Sequence, residues 1–471
     1  MSADGTLEMP ECGAHVEKRM HGHPLNIWWV SQYASTPDQQ FTTQHDLASK
    51  LVKKGHRVTF FAAGFSHYKF EEIRLKNGER WREEECNGVR FVWIKTPSYR
   101  TNNWKRVYNM CSFAWRAYWT ARGRGDKPDV VIGTTFHPLS SLCAYCISVS
   151  KRKPFVFEVK DLWPLTMVEF GKISAKSPLA VFLAFLEKFL ARRASRIMTT
   201  LPGAADYYAG LGVPKQKVVW IPNGLELSRY AGLKLYDGRS REPYVLLYAG
   251  GLVSANALET IIQVARIEQE KGIGIQFVFV GGGQDKPKLM QLARELGLRN
   301  VEFRDAVPKT ELHRVMEQAD AFILTMRNLP GLYRYGMSFN KLCDYVASGR
   351  PVLFAGDASY NVVKEYKCGI VVPPEDPQAL AEAIHKFQDL TPEQRAEMGR
   401  NGIRCAKERF DISLLADHLE KMLISAADEF RGSPASLPES DVARRPPAST
   451  RTEQALPSIG HASVNEARPQ E

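Results

Sequence analysis

Five residues that could hold a phosphorylated ligand lie close together in the segment YGMSFNKLCDYVASGRP, residues 335–351. They are Gly336, Ser338, Asn340, Lys341 and Asp344. The apolar residues between Asn340 and Gly349 recur at helical spacing, so the segment predicts a loop followed by a helix that ends at Gly349. The polar residues lie at the helix N-terminus, where unpaired N–H groups and the helix dipole attract anions. The segment therefore predicts a phosphate site, and an N-capped surface helix is the alternative.

Two glycine-rich loops in the second half of the chain strengthen the prediction of a phosphate site. Gly250 and Gly251 follow the apolar run YVLLYA, and three glycines around Gly282 follow IQFVFV. Neither loop has the G-x-G-x-x-G spelling with a suitably spaced acidic residue, which argues against a nicotinamide cofactor. Simple turn glycines are the alternative for each loop. Because Asn340 and Asp344 share one helical face, the two loops and this helix together predict a cleft for the phosphates of a nucleotide.

The elements that must position these residues form two successive series of apolar runs alternating with amphipathic stretches. Such alternation predicts parallel sheets covered by helices, with ligands at the carboxyl ends of the strands. We predict an α/β fold of two doubly wound, Rossmann-like domains facing across a cleft. The predicted parts are a disordered N-terminal extension (1–24), a first domain (25–220), a second domain (221–411), a closing helix (412–431) and a disordered tail (432–471).

The composition is that of a globular protein with an anionic partner. The chain has 471 residues, too many for one core, and a formal net charge of +11. Its eight cysteines are scattered, which is typical of a reducing cytoplasm, and no His, Cys or carboxylate cluster predicts a metal site. The first 24 residues lack the apolar core of a signal peptide, and the run LAVFLAFL (179–186) is too short to span a membrane. We therefore expect a cytoplasmic protein.

A basic and aromatic stretch, SYRTNNWKRVYNMCSFAWRAYWTARGRGDK (98–127), suggests a further partner. Seven Lys and Arg residues occur here against one acid, Asp126, with Trp and Tyr residues between them. This composition is typical of a helix that lies on anionic lipid, which would place the protein peripherally on the inner face of the cytoplasmic membrane. A packed helix with a solvated basic face is the alternative. No recognition motif accompanies the stretch, so nucleic acid is not predicted as a partner.

Several segments resemble a known family. The stretches 281–326 and 333–353 resemble the donor-binding half of glycosyltransferase family 4, whose GT-B enzymes use sugar nucleotides and retain anomeric configuration. The segment VVWIPNGLEL (218–227) is similar to the one that joins that family's two domains. In the first half, NIWWVSQYASTP, LASKLVKKGHRVTFFAAGFSH, VWIKTPSY and FEVKDLWPL resemble the WbuB-type subgroup, linked to fucosamine transfer in surface polysaccharide assembly. The resemblance runs from about residue 25 to residue 428.

The resemblance implies an acceptor-side first domain and a donor-binding second domain, with several departures in the site. The family's two glutamates separated by seven residues correspond to Gly336 and Asp344, and its Arg and Lys after the first donor-domain strand correspond to Gly251 and Asn256. A family His before the Asp of the first-domain motif corresponds to Lys160. Asp344 is therefore expected to accept hydrogen bonds from the donor ribose.

Transfer from a nucleoside diphosphate sugar builds negative charge on the leaving diphosphate, which fixed cations must stabilise. We predict that Lys341 replaces the missing cations and that Arg327 is the next candidate. N–H groups around Gly336 and Ser338 are expected to hold the diphosphate beside the glycine loops. Asp161, which follows an apolar strand, is expected to contact the donor sugar or the acceptor, with Lys160 as a weaker catalytic candidate.

These residues predict a retaining glycosyltransferase without a metal or other cofactor. It would move a hexose or amino sugar from a nucleoside diphosphate donor, UDP-linked in our prediction, to a lipid-linked or oligosaccharide acceptor in surface polysaccharide biosynthesis. Two alternatives remain open at this point. One is a sugar-nucleotide epimerase of GT-B fold, and the other is a catalytically silent sugar-nucleotide-binding protein, which the replaced family residues suggest.

Overall fold

The computed structural model of the protein describes residues 23–38, 42–67, 69–100 and 103–432. The sequence up to residue 22 and the tail from residue 433 lie outside the described residues, so the disorder expected there stays a prediction. Within the part of the chain that the structure describes, no helix is both long enough and apolar enough to cross a membrane.

Sixteen strands are found among the described residues. In chain order they are β1 (Asn26–Val30), β2 (Arg57–Ala63), β3 (Phe65–Ser66), β4 (Glu71–Glu72), β5 (Trp81–Cys86), β6 (Val89–Ile94), β7 (Val130–Thr134), β8 (Phe155–Val159), β9 (Arg196–Thr199), β10 (Val218–Trp220), β11 (Tyr244–Ala249), β12 (Ile275–Val280), β13 (Val301–Arg304), β14 (Ala321–Thr325), β15 (Val352–Ala355) and β16 (Gly369–Val372).

Fifteen α-helices connect these strands within the same residues. They are α1 (Thr43–Lys53), α2 (Trp104–Gly123), α3 (Pro138–Lys151), α4 (Leu165–Glu169), α5 (Pro178–Arg193), α6 (Ala204–Gly210), α7 (Glu259–Glu270), α8 (Lys286–Glu295), α9 (Leu312–Met316), α10 (Pro330–Tyr333), α11 (Asn340–Ala347), α12 (Val362–Tyr366), α13 (Pro377–Gln388), α14 (Pro392–Cys405) and α15 (Ile412–Phe430).

The first sheet has the order β10-β9-β8-β7-β1-β2-β6-β5 and is parallel except for the antiparallel pair β5 and β6. Strand β1 is buried along its whole length, as its continuous apolar run NIWWV predicts for a strand covered on both faces. Helices α2, α3, α5 and α6 contribute to the core on one face, and α1 and α15 to the core on the other. The sequence pattern does not indicate β5, because its run of three glutamates lacks alternation and suits a charged sheet edge.

The second sheet has the order β13-β12-β11-β14-β15-β16, and all its pairs are parallel. Two doubly wound α/β domains were expected from the alternating pattern, and this expectation is confirmed. In each sheet the loops at the carboxyl ends of the strands carry the predicted site residues, namely 250–251 after β11, 281–283 after β12 and 160–161 after β8.

A linker, residues 221–230, ties the two domains together. The Arg229 guanidinium donates to both carboxylate oxygens of Asp46 in α1, at 2.7 and 2.9 Å. The Leu225 N–H donates to the carbonyl of Phe410 at 2.9 Å, directly before α15 begins. Helix α15 then packs on the first sheet, where Leu419 is part of the core. The closing helix therefore joins the first domain although it follows the second in the chain.

Candidate active site

The glycine loops after β11 and β12 lie against each other at the carboxyl edge of the second sheet. The Leu252 N–H donates to the Gly282 carbonyl at 2.8 Å. Gly281 has a φ of +154°, and a Cβ atom there would lie 2.0 Å from the carbonyl oxygen of Gly250, so only glycine permits this approach. A Cβ on Gly282 would meet nothing within 4 Å, and Gly251 is similarly open. The two loops form one surface with room for a ligand, which we call the glycine floor.

Helix α11 begins beside the glycine floor without a side-chain cap. The N-cap residue is Phe339, and no side-chain hydrogen bond caps the helix within the described chain. The Tyr345 hydroxyl fixes the helix to β11, because it donates to the Ala249 carbonyl at 2.9 Å and accepts from the Ala249 N–H at 2.8 Å. Most residues of the helix are buried. The alternative of an N-capped surface helix is therefore wrong, and the helix N-terminus suits an anion.

Lys341 extends from the first turn of α11 along the glycine floor. Its Nζ donates to Asn256 Oδ1 at 2.7 Å and lies 5.3 Å from the centroid of the Tyr248 ring. Its Cε would be 3.0 Å from a Cβ placed on Gly250. Burial, which no carboxylate among the described residues offsets, lowers the pKa of the Lys341 ammonium to about 7. The amine thus lies next to Asn256, one of the positions where the family resemblance places a cation.

Asp344 lies one turn further along α11 and is buried, with 5% of its surface exposed. Its Oδ1 accepts a hydrogen bond from the Tyr230 hydroxyl of the linker and lies 3.6 Å from Lys309 Nζ. Burial first, and then the charge of Asp344, raise the pKa of Tyr230, so this phenol remains a donor. Neither partner was found by sequence reasoning, because Tyr230 and Lys309 belong to segments with no motif of their own.

Gly336 does not lie on the glycine floor, and the prediction that its N–H holds a diphosphate is corrected. The Gly336 N–H donates to the Tyr333 carbonyl at 2.9 Å. Its φ is +90°, and a Cβ atom there would lie 2.4 Å from Cγ of Pro202 in the first domain. Glycine at this position is therefore explained by the contact between the two domains, which leaves no space for the family's glutamate.

Two other predicted residues lie around α11: Ser338 contacts the linker, and Asn340 is exposed to solvent. The Ser338 hydroxyl oxygen accepts from the Asn223 side-chain amide of the linker at 2.8 Å. Asn340 is exposed in the first turn of α11, one turn before the buried Asp344. Ser338 therefore positions the loop against the linker, while Asn340 lies at the rim of the site.

Arg327 is engaged by carboxylates rather than directed toward the glycine floor. Its guanidinium forms ion pairs with Glu259 at 2.5 Å and with Glu375 at 2.8 Å, and its Nε donates to the Ser254 carbonyl at 2.7 Å. Two carboxylates balance its charge, so the structure corrects its predicted role as a second phosphate cation. Arg327 instead connects the loops that follow β11 and β14.

Asp161 and Lys160 follow β8 in the first domain but have different environments. Asp161 is exposed to solvent, yet the protein around its carboxyl group raises its pKa, an effect that the Lys160 charge opposes. Burial of the Tyr333 phenol, and then the Asp161 charge, raise the pKa of Tyr333 to about 12. Helix α10, which carries Tyr333, packs against α4 of the first domain, so the two domains face each other here. Lys160 is held by the fully buried Glu158 at 2.8 Å. This ion pair corrects the predicted catalytic role of Lys160 to a structural one.

A buried chain of hydrogen bonds that the sequence did not indicate lies at the same edge of the first sheet. The Ser140 N–H donates to His137 Nδ1 at 3.3 Å, so His137 Nε2 carries the proton and donates to Gln32 Oε1 at 2.5 Å. The Gln32 amide donates in turn to Asn109 Oδ1 at 2.6 Å. Burial lowers the pKa of His137 to about 3, which keeps the ring neutral. The chain fixes the β1, β7 and α2 ends that border the cleft.

The fold and the site together define a GT-B enzyme, with a glycine floor and an uncapped helix on one side of a cleft between two doubly wound domains. Residues 42–224 match the family model of the glycosyl transferase 4-like domain, and residues 243–389 match that of glycosyl transferases group 1. The chain belongs to glycosyltransferase family 4 and is a glycosyltransferase.

Known proteins resemble this chain at low identity. WcaI of Escherichia coli (strain K12), named as a colanic acid biosynthesis glycosyl transferase, is 24% identical over 304 residues, which cover 60% of this chain and 72% of WcaI. Sucrose-phosphate synthase from Thermosynechococcus elongatus has a TM-score of 0.66 at 18% identity, over 85% of this chain and 100% of that one. HepE from Anabaena, solved with UDP and glucose, has a TM-score of 0.61 at 14% identity, with the same two coverages.

Proposed function

We propose that this glycosyltransferase transfers a hexose or an amino sugar, with retention, from a UDP-linked donor to a lipid-linked or oligosaccharide acceptor in surface polysaccharide biosynthesis. The observation that carries the donor half of the proposal is the position of Lys341. A buried amine beside two glycine loops and an uncapped helix N-terminus, with no carboxylate partner in the described chain, suits a diphosphate.

Lys341 acts on the leaving group in this proposal. As the bond between the sugar and the diphosphate breaks, negative charge grows on the diphosphate oxygens, and a fixed cation lowers the energy of that state most. The open glycines 251 and 282 let the diphosphate approach the backbone, and the N–H groups of the first α11 turn add donors. Asn256 orients the amine by accepting from Lys341 Nζ.

Asp344 binds the donor ribose in this proposal. Its carboxylate is already oriented by Tyr230 and Lys309, both on Oδ1, so a ribose hydroxyl approaching the same group would meet a fixed acceptor. UDP is favoured as the nucleotide by analogy with HepE, whose solved complexes contain UDP and glucose. This analogy rests on the shared fold alone.

The acceptor is proposed to lie on the first domain beside Asp161, whose charge contributes to the raised pKa of Tyr333 in the second domain. A carboxylate at this position can orient hydroxyl groups of the acceptor or of the transferred sugar. The role in surface polysaccharide biosynthesis is supported by the name of the relative WcaI. The two alternatives raised by the sequence, an epimerase and a silent binding protein, are set aside because both domains match glycosyl transferase models.

Product analysis tests the proposal. The full chain should release UDP from an α-linked UDP-sugar only when a lipid-linked saccharide or an oligosaccharide acceptor is present, and proton NMR should show an α-linked product. A β-linked product would contradict retention, and a changed sugar configuration without any acceptor would point to the epimerase. If GDP- or TDP-linked sugars are used instead of UDP-sugars, the choice of nucleotide is wrong but the transfer reaction stands.

A further inference from the structure

A wide apolar surface covers the outer side of the first domain. It consists of the outward faces of α2 and α5, which flank α3 over one face of the sheet, and we call it the α2–α5 surface. Its exposed large residues are Trp104, Val107, Tyr108, Trp115 and Trp119 of α2 and Leu179, Val181, Phe182 and Phe185 of α5. Trp104, Trp115 and Phe185 are 70%, 66% and 66% exposed. Exposed apolar side chains concentrated on two helices of one face in this way mark a binding surface.

Both helices are apolar on two opposite sides. The inward sides, with Phe113 of α2 and Leu190 of α5, belong to the core over the sheet. The outward sides repeat aromatic residues at helical spacing, as Tyr108 and Trp115 do in α2. A helix that only covers its own sheet needs one apolar stripe. Helix α2 is therefore packed on its sheet, as one of the two alternatives for residues 98–127 predicts. It also presents a second, exposed apolar stripe, which packing on the sheet does not require.

The exposed charges on these helices are positive. They are Lys105, Arg116 and Arg122 on α2 and Lys188, Arg192 and Arg193 on α5. In α2, α3 and α5 the one acidic residue is Glu187, which is buried and accepts hydrogen bonds from Tyr207 and Tyr208. Arg124, which the sequence places with the basic face, is ion-paired with Glu83 and Asp126 and is excluded from the surface.

We infer that the α2–α5 surface docks the enzyme on an anionic lipid bilayer. Trp and Tyr favour the boundary between headgroups and acyl chains, and Lys and Arg are attracted to anionic headgroups. A second copy of the chain suits the surface poorly, because a two-fold interface would oppose the same positive charges. The inference uses neither the donor nor the acceptor proposed above, so it stands or fails separately from them.

Docking in this way brings the cleft to the lipid headgroups. Helix α2 follows β6, and α5 follows β8 and the short helix α4, so both belong to connections that leave the carboxyl edge of the parallel sheet, where the cleft opens. Trp104 and Val107 lie in the first turn of α2, and Leu179 and Phe182 lie near the start of α5. The most deeply inserted residues would thus be next to the first domain's side of the cleft.

Co-sedimentation of the full chain with vesicles tests the inference. We expect wild-type protein to bind vesicles that mix phosphatidylglycerol with phosphatidylcholine, and to bind pure phosphatidylcholine weakly. The pair Phe182→Ser and Phe185→Ser should reduce partitioning at least tenfold, since the apolar contact is lost. The pair Arg116→Glu and Arg122→Glu should also reduce it at least tenfold, because each basic residue lost near such a surface changes binding by about fivefold (about 1 kcal/mol).

Two matched controls lie outside the surface. Leu235→Ser changes an apolar residue that is 71% exposed in the second domain, and the pair Lys288→Glu and Arg294→Glu reverses two exposed charges on α8. Both controls should bind vesicles as the wild type does, and all variants should keep the wild-type melting temperature. Vesicle binding that is unchanged by the α5 pair, or a dimer in solution that this pair dissociates, would overturn the inference.

Discussion

Replacing Lys341 with alanine is expected to lower turnover by about 100- to 1000-fold, the usual loss when one preorganised stabiliser of developing charge is removed. The loss should appear in kcat more than in KM, because the charge that Lys341 meets grows as the diphosphate leaves. The melting temperature should not fall, since the variant removes a buried cation with no carboxylate partner in the described chain. Initial rates at varied donor concentration check this.

Lys309→Ala is the matched control, because Lys309 is also a lysine of the site but lies 3.6 Å from Asp344 rather than on the glycine floor. It should affect donor KM without a comparable loss in kcat. If Lys341→Ala retained wild-type kcat, the amine would be a structural partner of Asn256 and not the cation of the reaction.

The pH dependence of donor binding is a second way to decide whether Lys341 is the cation that meets the diphosphate or only a structural partner of Asn256. Burial lowers its pKa to about 7, so the amine of the free enzyme becomes neutral as the pH rises above that value. A bound anion favours the charged form, so donor binding takes up a proton above this pH. The affinity of the wild type should therefore fall as the pH rises above about 7, by at most about tenfold per pH unit. Lys341→Ala should not show this fall.

Gly336→Ala is expected to lower the free energy of unfolding by about 3 kcal/mol or more, through a strained backbone and a clash together. The φ of +90° disfavours any side chain, and the new Cβ would lie 2.4 Å from Cγ of Pro202, whose ring cannot rotate away. Because this contact joins the two domains, the variant should also lose activity. Gly336→Glu, which restores the family's acid, should be no better.

Gly78→Ala is the matched control for the backbone strain. Gly78 has a φ of +91°, but a Cβ there would meet nothing within 4 Å, so its cost should be about 1 kcal/mol. Urea unfolding of both variants separates the two contributions. Equal costs at both positions would mean that Pro202 yields and that the contact between the domains is loose.

The two sheets could be predicted from the sequence because most of their strands have a recognisable local sequence pattern. Strands such as β1 and β12 are almost wholly buried and read as nearly continuous apolar runs. Strand β5 was not predicted, because its glutamates lie at an exposed edge of the sheet, where no apolar pattern is required. The packing of α15 on the first sheet was also not predicted, because the pattern of an amphipathic helix does not indicate which of two sheets the helix covers.

The site was only partly predictable, because the roles of its residues depend on contacts with segments that are distant in the sequence. Lys341 could be found from its place at a helix start, and it does lie on the glycine floor. The roles of Arg327 and Lys160 could not, because Glu259, Glu375 and Glu158 neutralise them in three dimensions. Tyr230 is 114 residues from Asp344, and no local spacing indicates such a partner.

Calorimetric titration of UDP into Asp344 variants tests most directly whether α11 carries the donor site. Asp344→Ala should weaken UDP binding by about 10- to 100-fold, since a hydrogen bond to a charged group contributes about 1.5–3 kcal/mol. Asp344→Glu should keep most of the affinity. Tyr230→Phe removes the same internal hydrogen bond but leaves the carboxylate, so it should bind UDP nearly as the wild type does. If Asp344→Ala bound UDP as tightly as the wild type, the donor would not be held at α11, and the proposed site would be contradicted.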